Sequence, residues 1–262
     1  MGKAEKRIIN DEENTEEESQ DKLEGRNPVM EALKSGREIN KIFVQKGERE
    51  GSIIRIIAMA KEKKIIIQEV ERQKLDNLSS THAHQGVIAF VSMHSYVEVE
   101  DIMANAAGKG EHPFIIIVDE INDPHNLGSI LRTANAAGAH GVIIPKRRAV
   151  GLTAAVAKTS AGAIEYVLVA RVTNIGQTID RLKEQGVWIV GADMSGDKNF
   201  YEADLKGPIG LVVGNEGEGI GRLVKEKCDF LVKIPMKGEI ASLNASVAGA
   251  VLMYEVVKQR EK

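Results

Sequence analysis

Apolar residues along this chain fall mostly in short solid runs, and the stretches between the runs carry helical spacing. Phe114–Val118 (FIIIV), residues 141–144 (GVII) and Ile209–Val213 (IGLVV) have the length and β-branched content of strands buried on both faces. Residues 167–170 and 187–190 read the same way, as do residues 230–234, which end at Pro235. After a polar loop at 119–126, Leu127, Ile130, Leu131 and Ala134 recur at helical spacing until Gly138. Residues 152–158, Ile175–Glu184 and 222–227 are also predicted helical, and a long small-residue helix opens at Ser242-Leu243-Asn244 and runs to Arg260. Alternating strands and helices predict an α/β fold with a mainly parallel sheet covered on both faces. The loops at its strands' carboxyl ends are then the place for a ligand.

The N-terminal part carries a smaller set of elements. Asn27-Pro28 reads as a cap followed by proline at the first helical position, and Val29, Met30 and Leu33 continue the helix until Gly36 stops it. Strands at 41–45, 64–68 and Val87–Val91, with helices at 52–61 and Arg72–Leu78, make a compact α/β unit over residues 25–93. His82 and His84 lie in its polar entry to the last strand, and without further ligands they predict a surface loop and no metal. Residues 94–112 predict a linker holding one short helix at 99–106, and residues 113–262 form the larger domain.

Composition narrows the class. Apolar residues make up 43% of 262 and aromatics only 4%, so the core is aliphatic and large enough for two domains. Cys228 is the single cysteine, which excludes an intrachain disulfide and a cysteine zinc site. With no apolar run of membrane-spanning length, the expectation is a cytoplasmic protein that binds neither membrane nor metal. The net charge of −3 is misleading about nucleic acid. The first 26 residues hold five Lys/Arg against nine Asp/Glu, so the remainder is near neutral. Residues 1–24 read as a disordered acidic tail. Lys146-Arg147-Arg148 and Lys61, Lys63 and Lys64 are the basic clusters, and such runs are usually solvated faces.

The most informative stretch follows Val213. Gly214, Gly217, Gly219 and Gly221 crowd eight residues, a density suited to positive φ or to backbone lying against a ligand. Neither GxGxxG nor GxxxxGK[ST] is met, and the acidic residues Glu216 and Glu218 would repel a pyrophosphate. A ligand with little negative charge is favoured. A plain turn is the common alternative, but Asn215, Glu216 and Glu218 place polar side chains where a turn needs none.

The pattern GNEGEGI, then IPM, then SLNASVA, together with NDPHNLGSILRTANAAG upstream, resembles the motifs of the SPOUT superfamily, in its SpoU/TrmH branch of RNA ribose 2′-O-methyltransferases. GRNPVMEAL and THAHQGVIAFV resemble the small RNA-binding domain that precedes many such enzymes. The resemblance implies an α/β-knot domain holding bent S-adenosylmethionine, a homodimer with active sites at the subunit interface, and an rRNA substrate, by analogy a guanosine of 23S rRNA. A tRNA 2′-O-methyltransferase, or a non-catalytic RNA-binding or ribosome-assembly protein on the same fold, are the competing readings. By resemblance the catalytic positions are Arg132, Asn126, Glu216, Ser242 and Asn244, and the cofactor positions are Gly214, Ile234, Leu243, Gly219 and Ser246. Arginine is a poor base because it stays protonated. Arg132 is therefore expected to bind phosphate and stabilise developing alkoxide charge, with Glu216 holding its fork. A lone Ser or Asn at a helix start is usually only a cap, so Ser242 and Asn244 carry less weight than Arg132.

Overall fold

The computed structural model describes residues 22–47, 50–79, 83–91, 94–215, 217, 219–240 and 242–261. They divide into two compact units, one up to Ser95 with residues 152–155, the other Tyr96–Gly151 and Val156–Lys262.

In the first unit, β1 (Lys22–Glu24), α1 (Arg26–Ser35), β2 (Ile39–Gln45), α2 (Ser52–Glu62), β3 (Ile66–Val70), α3 (Arg72–Leu78) and β4 (Val87–Val91) build a four-stranded sheet in the order β1-β4-β2-β3. β4 runs antiparallel to β1 and β2, and β3 runs parallel to β2. Period-two alternation splits the strands between two cores. Ile42 and Val44 join Val29, Leu33, Ile53 and Ile56 on one side, and Phe43 and Phe90 join Leu75 and Leu78 on the other. The strand at 22–24 lies within the stretch expected as acidic tail, and residues 1–21 lie outside the described residues. The helix begins one turn-position earlier than its Asn-Pro signal, at Arg26, because Gly25 (φ 93) ends β1 and turns the chain. His84, expected on a surface loop, is buried: its Nδ1 accepts from Gly86 N (3.0 Å) and its Nε2 meets Asp76 Oδ1 (2.8 Å).

The second unit continues with α4 (Val99–Lys109), β5 (Phe114–Val118), α5 (Pro124–Ala136), β6 (Gly141–Pro145), α6 (Ala154–Thr159), β7 (Val169–Val172), α7 (Ile175–Glu184), β8 (Trp188–Ala192), β9 (Lys198–Asn199), β10 (Ile209–Val213), α8 (Arg222–Lys225), β11 (Phe230–Lys233) and α9 (Ala245–Arg260). Seven strands form one sheet in the order β7-β6-β5-β10-β8-β11-β9, and every pairing is parallel. All residues of β5, β6 and β10 are buried, as a doubly covered sheet requires. The α/β class with a mainly parallel sheet is thus what the structure contains. One face packs Ile115, Ile117, Ile143, Ile189 and Val212 against Ile102 of α4 and Ile175, Ile179 and Leu182 of α7. The stretch expected as a linker therefore supplies a core helix. It is pinned by a capping box at Glu98 and Asp101 and by Val97 N–H donating to Val169 (2.9 Å). β9 is too short and polar to show in a hydrophobic pattern.

Candidate active site

Because β5, β10, β8 and β11 are parallel neighbours, the loops at their carboxyl ends gather along one edge of the sheet. A cavity of about 350 Å³ opens there, within the size range of small-molecule sites. Its apolar wall is Ala192, Met194, Val213, Val232, Ile234, Met236, Leu243, Ala245 and Ala248. Asp193, Asn215 and Ser242 add polar side chains, and Gly214, Gly217 and Gly219 add bare backbone. A neighbouring hollow of about 230 Å³ shares Asn215, Gly217 and Ala245 and extends to Glu120, Ile121, Asn122, Asp123 and Asn126.

The two arms of the glycine loop are joined by a pair of backbone hydrogen bonds. Asn215 and Gly219 exchange N–H···O=C bonds of 3.1 Å each, and Gly219 sits at φ 69. A Cβ on Gly214 would run into the backbone of Gly219 and Ile220, so only glycine fits there. Asn215 Oδ1 accepts from Gly217 N (2.9 Å). Behind the loop, buried Asp119 accepts from Gly221 N at Oδ2 (2.8 Å) and so ties the end of β5 to the end of the loop. Burial raises the Asp119 carboxyl above its ordinary value, with the Gly221 bond working against that rise.

Asn126 and Asn244 lie 118 residues apart and meet directly: Asn244 Nδ2 donates to Asn126 Oδ1 at 2.9 Å. Asn244 is also the N-cap of α9, its Oδ1 accepting from the backbone N–H of Ser246 (3.0 Å) and Val247 (3.3 Å) and from Ser246 Oγ (2.6 Å). The same side chain therefore starts the helix and joins two motifs.

Of the sequence-derived positions, Gly214, Gly219, Ile234, Leu243 and Ser242 line the cavity, and Asn126 lines the adjoining hollow. Ser246 is drawn into the Asn244 cap and does not line either space. Glu216 lies outside the described residues. Arg132 is exposed and lines neither space. The helix begins at Pro124 under an Asp123 cap, so Asn126 belongs to the helix and not to the preceding loop. At 3.6 residues per turn, six positions put Arg132 about 120° around the axis from Asn126. Within one copy of the chain the two side chains point apart.

Asp119 and Asp193 were missed by motif reading. Their signal was positional, since Asp119 directly follows one predicted buried strand and Asp193 lies three residues beyond another, where ligand loops begin. Cys228 lines a different hollow, and burial pushes its thiol up to about 12, which makes it a poor nucleophile at neutral pH. Among the described residues no group of three His, Cys, Asp or Glu is placed to hold a metal, and no helix is long and apolar enough to cross a membrane.

Comparison with known proteins adds to this geometry. Residues 113–254 match the profile of the SpoU rRNA Methylase family, and residues 22–97 match the profile for RNA 2′-O ribose methyltransferase substrate binding. YacO of Bacillus subtilis, a protein assigned by name to the TrmH family of tRNA/rRNA methyltransferases, is 53% identical over 236 residues, covering 90% of this chain and 94% of that protein. A similarly named protein of Staphylococcus haemolyticus is 49% identical, with 91% and 95% covered. Among solved structures, the SpoU methyltransferase AviRb from Streptomyces viridochromogenes, in complex with AdoMet, superposes with a TM-score of 0.59 at 25% identity, covering 93% of this chain and 91% of that one.

Proposed function

The chain belongs to the SpoU family of RNA methyltransferases, and on that premise we propose that it methylates a ribose 2′-hydroxyl of rRNA, at a guanosine of the 23S molecule. S-adenosylmethionine is the methyl donor. The observation that carries the reading is the cavity in which the glycine loop, the end of β11 and the start of α9 converge. Its residues fit that ligand. The aliphatic wall suits a purine, the glycine loop permits close backbone approach, and the described lining residues include one carboxylate and no cation.

When bound, the cofactor supplies an already activated methyl on a sulfonium sulfur. The protein's task is to align the weakly nucleophilic hydroxyl with it and to ease loss of its proton. The adjoining hollow takes the acceptor ribose, since it shares a wall with the cofactor cavity and presents Asn126 and Asn215 for orientation. The Asn126–Asn244 bond fixes the seam between the two spaces. Arg132 steadies the acceptor phosphate and the developing alkoxide, and Glu216 holds its guanidinium. Because Arg132 stands exposed and outside both spaces of its own copy, a second copy delivers it, in a homodimer. Exposed Val247 and Tyr254 on α9, a helix apolar on several sides, support such a pairing. The first unit binds the RNA, and the protein works in the cytoplasm.

The test is transfer of labelled methyl from S-adenosylmethionine to rRNA and, in parallel, to tRNA from cells lacking this protein. Arg132→Ala is expected to cut transfer at least a hundredfold and leave cofactor affinity within about threefold, consistent with loss of one charge-stabilising group. Labelling of tRNA alone overturns the substrate assignment, and full turnover by the variant overturns the role of Arg132.

A further inference from the structure

Among the described residues that line the cofactor cavity, Asp193 is the one that is ionisable, and no motif marks it. It follows β8, and its backbone N–H donates to Val232 O (2.9 Å), so its position is set by two parallel strands. Its side chain is largely buried, at 12% exposure, and its carboxylate is held by Ser195 and Lys225. Oδ1 accepts from Ser195 N (2.8 Å) and from Ser195 Oγ (2.5 Å), and Oδ2 is paired with Lys225 Nζ at 2.8 Å. Ser195 and Lys225 line a different hollow, not the cofactor cavity. Asp193 thus lines the cofactor cavity while its carboxylate is held by two residues outside that lining.

A carboxylate offers about four acceptor positions, and these contacts use three. The remaining one is on Oδ2, 3.7 Å from where a Cβ on Gly219 would stand, across the cavity's glycine wall. The charge at this point is already balanced by the Lys225 ammonium, so the group suits a neutral donor better than a second cation. Burial tends to raise its carboxyl, but the Lys225 and Ser195 hydrogen bonds overcome that and hold it below its ordinary value. Near neutral pH it therefore accepts and does not donate. In a ligand made of adenine, ribose and a methionine zwitterion, the neutral donors are the adenine amino group and the ribose hydroxyls. The aliphatic wall claims the flat purine, which leaves the hydroxyls.

We propose that Asp193, positioned by Ser195 and Lys225, accepts a hydrogen bond from a ribose hydroxyl of the bound cofactor and fixes the adenosine end of the site. The inference rests on the cofactor reading above. A carboxylate acting as counter-charge to the sulfonium would instead separate S-adenosylmethionine from S-adenosylhomocysteine, which lacks that charge.

The experiment is calorimetry on the full-length protein and on Asp193→Asn, with far-UV dichroism and melting to confirm folding. The ligands are S-adenosylmethionine, S-adenosylhomocysteine, adenosine and 2′,3′-dideoxyadenosine, the last two by competition. Loss of a hydrogen bond to a charged acceptor predicts a fall on the order of tenfold to a hundredfold, equal for the first two ligands. The wild type should prefer adenosine to its dideoxy form by a similar factor, and the variant should lose that preference. A variant that does not fold leaves the wild-type preference as the deciding measurement. Wild-type indifference to the ribose hydroxyls, or a variant weakened for S-adenosylmethionine alone, overturns this inference and leaves the cofactor reading standing. Wild-type protein that binds none of the four overturns both.

Discussion

Gly214→Ala is expected to disable the cofactor cavity while leaving the fold in place. The added methyl would meet the carbonyl group of Gly219 and the nitrogen of Ile220, and neither is a side chain that can rotate away. To regain ordinary carbon contact the two arms of the loop must part by roughly 1 Å or more. They are joined by the paired Asn215–Gly219 bonds at 3.1 Å, which do not survive such a shift. Two hydrogen bonds at about 0.5–1.5 kcal/mol each, with overpacking of about 1–3 kcal/mol, give about 2–6 kcal/mol. Even the lower end corresponds to roughly thirtyfold in affinity. The control is Gly238→Ala, at a glycine that lines neither space. A Cβ there meets nothing within 4 Å, so binding should change by less than about threefold. Calorimetric titration with S-adenosylmethionine, paired with thermal melting, reads both variants. Gly214→Ala that binds at wild-type affinity, or a Gly238→Ala equally impaired, would refute the argument that the loop's closed backbone shapes the site.

Two further outcomes follow from the geometry. Asn244→Ala removes the cap of α9 and should cost about 1–2 kcal/mol in chemical denaturation, whereas Asn244→Asp keeps the cap acceptor, loses the donor to Asn126, and should remain stable while methyl transfer falls at least tenfold; an Asp variant as active as the wild type would remove Asn126–Asn244 from the mechanism. His140 is buried and accepts from Phe114 N at Nδ1 (3.0 Å), and burial, followed by Lys109, lowers its value below 6.5. The unfolded chain then takes up the proton first, so stability is full above that value and is lost as pH falls through it. Denaturation midpoints at pH 7.5 and 5.5 should differ more for the wild type than for His140→Gln, and equal differences would refute the assignment.

The strands of the larger domain were legible because burial on both faces writes itself as solid apolar runs, and Phe114–Val118 and Ile209–Val213 need no partner to be recognised. β1 and β9 were not, since a strand of two or three mixed residues gains its stability from the neighbour it pairs with. The helix at Val99–Lys109 was visible as a helix but not as core, because Ile102 and Ala106 are buried by strands that the local pattern does not name. The site divides along the same line. Glycine crowding and the three motifs pointed to the loops that line the cavity, since close backbone approach demands a residue type that a sequence displays.

Relations between distant residues were decided only in three dimensions. Asn126 and Asn244, Asp119 and Gly221, and Asp193 and Lys225 meet because parallel strands bring their carboxyl ends to one edge, whatever their separation along the chain. The direction of Arg132 belongs to the same class. Both Arg132 and Asn126 were expected in one site, but with the helix starting at Pro124 its pitch turns the arginine away from Asn126. Residue type and local period are properties of the chain. Contact and direction are properties of the sheet that gathers it.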